Sequence, residues 1–318
     1  MIRYVSMRLL QAVGVLWAAY TVTFVVLNLL PGDPVSAMAG AGSDSSSIDP
    51  ALIEKLRHQY GFDRPVIVQY FDYLGRAVRG DFGVSVTQGR PVTLLVRDAL
   101  PATFALAGAA LLLAAVFGGG LALLATYTNW RWLRQLLLSL PPLGVSVPTF
   151  WVGLMLVQLF SFKFHLFPAF GNNGVIGLVL PAVTLALPTG AQIAQVLAKS
   201  LITTLGEPYI ETARAKGAGR VRVHLRHALR NASLPALTVL GVIAGQVMAS
   251  SVVVETVFAR SGLGRITQNA VTLQDLPVVQ GVVVFGALIV VVVNLVVDLI
   301  YPLLDPRIVV ASARVRLG

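Results

Sequence analysis

Residues 99–130 read ALPATFALAGAALLLAAVFGGGLALLATYTNW, without one Asp, Glu, Lys or Arg. A bilayer core about 30 Å thick is crossed by roughly 20 apolar helical residues, so this stretch can span it with residues to spare. Working outward, further charge-free stretches longer than that threshold occupy 9–32, 135–162, 164–198, 231–254 and 276–297. The 164–198 stretch opens FPAFGNNG, which reads as loop, so its helix is predicted to begin near Val175. None of these runs alternates apolar and polar residues as the strands of a membrane barrel do. The sequence therefore predicts an all-α integral membrane protein with six transmembrane helices.

Composition agrees. The 318 residues are 56% hydrophobic and 12% charged, with a mean hydropathy of +0.79, whereas soluble chains carry about 25% charged residues. There is no cysteine, which excludes disulfides, zinc-thiolate sites, iron–sulfur clusters and thiol catalysis. The first apolar stretch follows MIRYVSMR, and Ala37-Met38-Ala39 resembles a signal-cleavage site. The stretch is longer than the roughly 7–15 residues of a signal core, so it is expected to be a retained anchor.

The net charge of +10 is unevenly distributed. With the N-terminus inside, the cytoplasmic segments are the N-terminus, the 131–134 turn, the 199–234 loop and the 305–318 tail. Counted with the inner end of the last span, they carry 14 Lys and Arg against Glu207, Glu211, Asp298 and Asp305; the other face holds 10 bases and 10 acids. The positive-inside rule puts both termini in the cytoplasm and accounts for the basic balance without nucleic acid. The expected order is N-terminus and first span 1–32, external cap 33–98, second span 99–130, turn 131–134, third span 135–162, external loop 163–174, fourth span 175–198, cytoplasmic loop 199–234, fifth span 235–255, external loop 256–276, sixth span 277–304 and tail 305–318.

Two segments are too long for turns. In the external cap, 50–60 and 65–79 read as short helices, the first capped by Asp49 with Pro50 at its first position and the second ending at Gly80. In the cytoplasmic loop, Pro208 suits a first helical turn and Gly217 a helix end. Glu207 and Glu211 at the start and Arg214 and Lys216 at the end match the helix dipole. A basic helix is predicted from Arg220 to about Ala232. Such a loop is either a solvated connector or a short lever that a cytoplasmic partner can push.

YIETARAKGAGRVRVHLRHALRNASLP at 209–235 resembles the EAA loop of ATP-binding-cassette importer permeases, most closely the dipeptide, oligopeptide and nickel branch. LPGDP after the first span, RGDFGVSV near 80–86, LPATF opening the second, ETVFARSGLG at 255–264 and DLIYPLLDPRI near the C-terminus occur in the same order as in that family. Glu211-Thr212-Ala213 stands where the wider consensus has Glu-Ala-Ala. The resemblance implies a type I importer permease that pairs with a second, similar permease. It also implies two ATPase subunits docked on the loop and an extracytoplasmic solute-binding protein that delivers the substrate. Short peptides are the substrate it implies, with nickel chelates or glutathione-type compounds as alternatives, and the bacterial or archaeal cytoplasmic membrane is the location. It assigns ATPase coupling to Tyr209, Glu211, Ala213, Lys216 and Gly217. The sequence has no Gly-Lys dipeptide, hence no phosphate-binding P-loop; no cofactor is expected in this chain, and ATP and Mg would be bound by partner subunits.

Further candidates rest on position. Ionisable residues inside a membrane are functional by default. Asp298, four residues after Asn294, either lines the path or caps the inner end of the sixth span. Gln246, Ser250, Ser251 and Glu255 form a polar stripe on the fifth span, a cavity lining or a small-residue packing face. In the 256–276 loop, Arg260, Gly262, Gly264 and Arg265 either contact the solute-binding protein or make an ordinary turn. His224 and His227 read as surface histidines rather than metal ligands, since no carboxylate lies within 212–254. No H-E-x-x-H or G-x-S-x-G occurs, so an intramembrane enzyme lacks its constellation. An ion-coupled transporter would bury acids at midplane.

Overall fold

The computed structural model describes residues 2–29, 54 and 63–304. The cap helix expected at 50–60, most of the cap before it and the 305–318 tail lie outside the described residues. The chain forms two compact units, one made of Met1–Thr103 and Ala259–Val291, the other of Phe104–Phe258 and Val292–Gly318.

In the first unit, α1 (Ile2–Leu29) is a long apolar helix. The Thr21 and Thr23 hydroxyls donate to the Trp17 and Ala19 carbonyls at 2.7 Å, so neither is left unbonded in hydrocarbon. Tyr70, supplied by α2 (Val66–Val78), packs edge-on against Tyr20 and Phe24. Helix α2 is the one predicted for 65–79. It starts after Pro65 and stops before Gly80, whose φ of +80° suits glycine. The RGDFGVSV segment then turns sharply. Asp81 accepts from the Gly83 amide and from Arg76 Nε, both at 2.9 Å, and these bonds hold its carboxyl below the usual aspartate range.

The start of α3 (Val92–Tyr127), α9 (Leu263–Thr272) and the start of α10 (Leu276–Leu304) enclose the core of this unit around Val92, Val96, Leu263, Val278 and Val282. Buried Asp275 takes one oxygen to three donors: Ser85 Oγ at 2.6 Å, Thr87 Oγ1 at 2.8 Å and the Thr87 amide at 3.1 Å. This clamp ties the RGDFGVSV turn to the start of α10. The 256–276 segment, expected as a loop, contains the ten-residue helix α9. Gly262 precedes it in extended conformation, and the Leu263 amide donates to Thr103 Oγ1 at 3.0 Å.

The second unit is built around α6 (Ile176–Leu205). In its most apolar window 61% of residues are buried, against 33% for α3, which makes it the central helix. It crosses α3 where Gly118 meets Gly190, so closely that a Cβ on residue 118 would overlap the Gly190 carbonyl oxygen. The third apolar stretch differs from the single span its composition suggests. It is two helices, α4 (Arg131–Ser146) and α5 (Thr149–Leu156), the latter continued by a π-helical turn to Lys163, bent by 102° at the break. Proline 148 is the cause: a residue before proline avoids the α region, and Val147 sits at φ −87°, ψ 128°. Among the described residues, five helices are therefore long and apolar enough to span a membrane, six if the bent pair counts as one span.

Candidate functional site

The 199–234 loop belongs to the second unit. Helix α6 continues past Lys199 to Leu205, and α7 (Pro208–Ala215) follows after a two-residue break. Glu207 precedes it in extended conformation with Pro208 at the first position, where the missing N–H has no intrahelical partner to lose.

One residue seats this helix. Ile210 is completely buried, among Ala122, Leu197, Leu201, Val223 and Ala228. Full burial of such a side chain contributes about 1.5–3 kcal/mol. Tyr209 adds a polar tie: its hydroxyl donates to the His227 carbonyl at 3.2 Å and accepts from Asn231 Nδ2 at 2.9 Å. The helix end is a Schellman stop. The Ala218 amide donates to the Ala213 carbonyl at 3.1 Å and the Gly217 amide to the Arg214 carbonyl at 2.9 Å, the paired bonds of that motif. Gly217 has φ +81°, the left-handed region that glycine occupies without steric cost. Ile210 faces inward, Tyr209 is 39% exposed, and Glu211, Thr212, Arg214, Ala215, Lys216 and Gly217 face solvent. Glu211 makes no hydrogen bond or ion pair with the described residues, and Ala213 is half-buried.

The structure thus places Tyr209, Glu211, Ala213, Lys216 and Gly217 on one short rigid element. Ile210 was missed at the sequence level because a lone apolar residue amid charges carries no periodic signal. The basic helix expected from Arg220 to Ala232 does not end there. From Arg220–Arg222 it passes through a π-helical stretch, Val223–Ala228, into α8 (Leu229–Val257) without a break, carrying Pro235 inside. His224, expected at the surface, is buried. Its Nδ1 and Nε2 lie 3.3 Å from the Arg220 and Thr126 carbonyl oxygens, so it serves the packing of two helix ends.

Of the path candidates, Gln246 is exposed, Ser250 half-buried, and Ser251 buried with its hydroxyl donating to the Met248 carbonyl at 2.7 Å. Asn294 lies against Gly245, its Oδ1 2.7 Å from where a Cβ would stand, so α8 and α10 approach where glycine leaves room. The side chain of Asp298 lies outside the described residues. Of the external candidates, Arg260 is 4% exposed and Gly262 and Gly264 are buried. Arg265 is exposed and donates back to the Ala259 carbonyl at 2.8 Å. No cluster of three His, Asp or Glu that could hold a metal occurs among the described residues.

A helical hairpin tip that interrupts two spans, closed by a Schellman stop, occurs within a recognisable sequence pattern. Residues 114–310 match the profile of the "Binding-protein-dependent transport system inner membrane component", and residues 1–107 that of its N-terminal region. The chain belongs to this family. It is 34% identical over 308 residues to the glutathione transport system permease protein GsiC of Escherichia coli (strain K12), covering 97% of this chain and 99% of that protein. The GsiC of Shigella boydii serotype 4 matches to the same extent. Among solved structures, the fold resembles the inward-facing MetNI methionine ABC transporter (TM-score 0.54, 17% identity, 67% of this chain and 97% of that one). It also resembles an amino acid ABC transporter solved with histidines (TM-score 0.51, 19% identity, 68% and 94%). The protein is a multi-pass membrane permease subunit of an ABC importer, and its homologues are transport subunits of the bacterial inner membrane.

Proposed function

We propose that this permease forms half of the translocation path for short peptides, glutathione-like tripeptides among them, and that α7 is the element through which ATPase subunits drive it. One observation carries the coupling reading: α7 is seated by buried Ile210, tied through the Tyr209 hydroxyl and stopped by Gly217, while its outer face, Tyr209 included, is exposed. A short helix anchored in this way moves with α6 and α8 as one body, so a push on its exposed face reaches the spans. Tyr209, Glu211, Ala213, Lys216 and Gly217 are the docking residues, on the cytoplasmic side with both chain termini.

The substrate reading is supported by the near-complete alignment with GsiC. The partners are a second permease, two ABC ATPase subunits that bind ATP and Mg, and an extracytoplasmic solute-binding protein. The bend at Val147–Pro148 supports the second permease. Leu143, Val145, Phe150 and Trp151 around it are 44–63% exposed, and non-helical backbone at membrane depth is tolerated only where protein or a water-filled cavity covers it. Gln246, Ser250, Asn294 and Asp298 line the path in this reading, and the 260–265 segment, through exposed Arg265, meets the loaded binding protein.

The test is reconstitution of the complete importer. Hydrolysis should rise when binding protein loaded with glutathione or a dipeptide is added, and labelled peptide should enter the vesicles. Uptake by the isolated permease driven by a proton or sodium gradient would overturn the reading. Stimulation only by a nickel chelate would overturn the substrate while leaving the mechanism.

A further inference from the structure

One group of residues near α7 is unused by that reading. A cleft of about 560 Å³ opens among the end of α3, the start of α4, the end of α6 and the α7–α8 connection. Arg134, Arg214 and Arg220 line it, with Asn129 and His224, and none of its lining residues is acidic. Each arginine comes from a different place: the first turn of α4, the last turn of α7 and the residue that opens the run into α8.

Arg220 is held in position. Its guanidinium lies over the Tyr127 ring, 4.4 Å from the centroid, and donates to the Tyr127 carbonyl. His224 packs edge-on against the same ring and bridges the Arg220 and Thr126 carbonyls. The other two guanidiniums have no carboxylate partner among the described residues. Three cations gathered without an acid repel one another, and an oxyanion is the group that converts this repulsion to attraction. Guanidinium forks match phosphate oxygens in geometry.

The neighbourhood points to the source of that phosphate. Trp130 and Trp132, in the turn that bears Arg131 and Arg134, stack on each other with centroids 6.3 Å apart and are 64% and 63% exposed. Exposed tryptophans at the end of an apolar span mark the level of lipid headgroups.

We propose that this cleft binds the phosphate of an anionic phospholipid from the cytoplasmic leaflet. Bound there, the headgroup joins α4, α7 and the helical run that leads into α8, and gives the coupling helix a third anchor beside Ile210 and Tyr209. The cytoplasmic placement is that of the function proposed above.

The experiment uses the assembled importer in vesicles of phosphatidylcholine alone and of phosphatidylcholine with phosphatidylglycerol at about 3:1. Lipid that survives detergent extraction is counted by native mass spectrometry. Wild type should retain phosphatidylglycerol, and Arg134→Gln with Arg214→Gln should retain it about thirtyfold less, the scale expected for two basic groups at an anionic leaflet. Arg134→Lys with Arg214→Lys should keep most of the retention, and Arg131→Gln with Arg230→Gln, outside the cleft, should leave it unchanged. Equal retention by the Gln pair and wild type would overturn the proposal. So would full replacement of the lipid by inorganic phosphate, which would assign the cleft to a soluble anion. Retention is counted whether or not α7 transmits force, so failure here and failure of the coupling reading are separate results.

Discussion

Replacing Gly217 separates a helix stop from a docking contact. The residue has φ +81°, and an L-residue in that region costs about 1–2 kcal/mol. A Cβ built on it meets nothing within 4 Å, so the chain itself adds no steric penalty. In the isolated permease Gly217→Ala and Gly217→Glu should therefore lose the same amount, about 1–2 kcal/mol. Gly217→Asn should lose less because asparagine tolerates this conformation, and Gly217→Val more because it is stiff at χ1. In the assembled importer the order should change. If α7 sits in a groove of the ATPase, the glutamate enters a contact without a partner, and burying an unpaired carboxylate costs several kcal/mol, enough to release or uncouple the ATPase. The assay is pull-down of the ATPase subunits together with substrate-stimulated hydrolysis, beside thermal melting of the permease alone. A Gly217→Glu importer that assembles and hydrolyses like Gly217→Ala would refute the docking role and reduce Gly217 to a stop.

Gly118→Ala should lower the melting temperature, since α3 and α6 must part to admit the methyl group and overpacking costs about 1–3 kcal/mol. Gly120→Ala, with open space around it, should be neutral or stabilising; equal shifts for the two would refute the crossing. Asp275→Ala should destabilise by several kcal/mol, because three donors lose a carboxylate and bonds to charged groups contribute about 1.5–3 kcal/mol each; an unchanged thermal melt would show that the RGDFGVSV turn holds without the clamp. Reporter fusions after Arg131 and Gly217 should read cytoplasm and a fusion at Gly262 the outside; the reverse pattern would invert the topology.

Much of this was legible because the signals are local. Pro208 and Gly217 bracket α7 in the sequence as in the structure, since a first-position proline and a left-handed glycine act on their own turn. Charge-free length located the spans for the same reason. It could not locate the bend at Val147–Pro148, because hydropathy measures length and not direction. Nor could it join the basic helix expected to end near Ala232 to the fifth span: Arg220 through Arg230 are helical and run on without a break, yet their charges hide the continuity with the apolar residues that follow. The glycines of the 256–276 segment suggest a loop, although Gly262 lies before helix α9 and Gly264 packs inside it. Ile210 and Asp275 escaped for a different reason. Each works through partners distant in sequence, and a single residue type announces no such partner.

The crossing of α3 and α6 has a mechanical consequence. Where two helices normally meet, side chains interlock, and turning one against the other forces rotamers to rearrange. At Gly118 and Gly190 there are none to rearrange, so the contact is a bearing of bare backbone. Gly190 stands 14 residues from Ile176 and 15 from Leu205, arms of about 21 and 23 Å at 1.5 Å per residue. With the fulcrum so near the middle, a tilt of α6 moves its two ends by nearly equal distances in opposite directions. A displacement at the end that carries α7 would arrive at the far end of α6 almost undiminished and with its sense reversed.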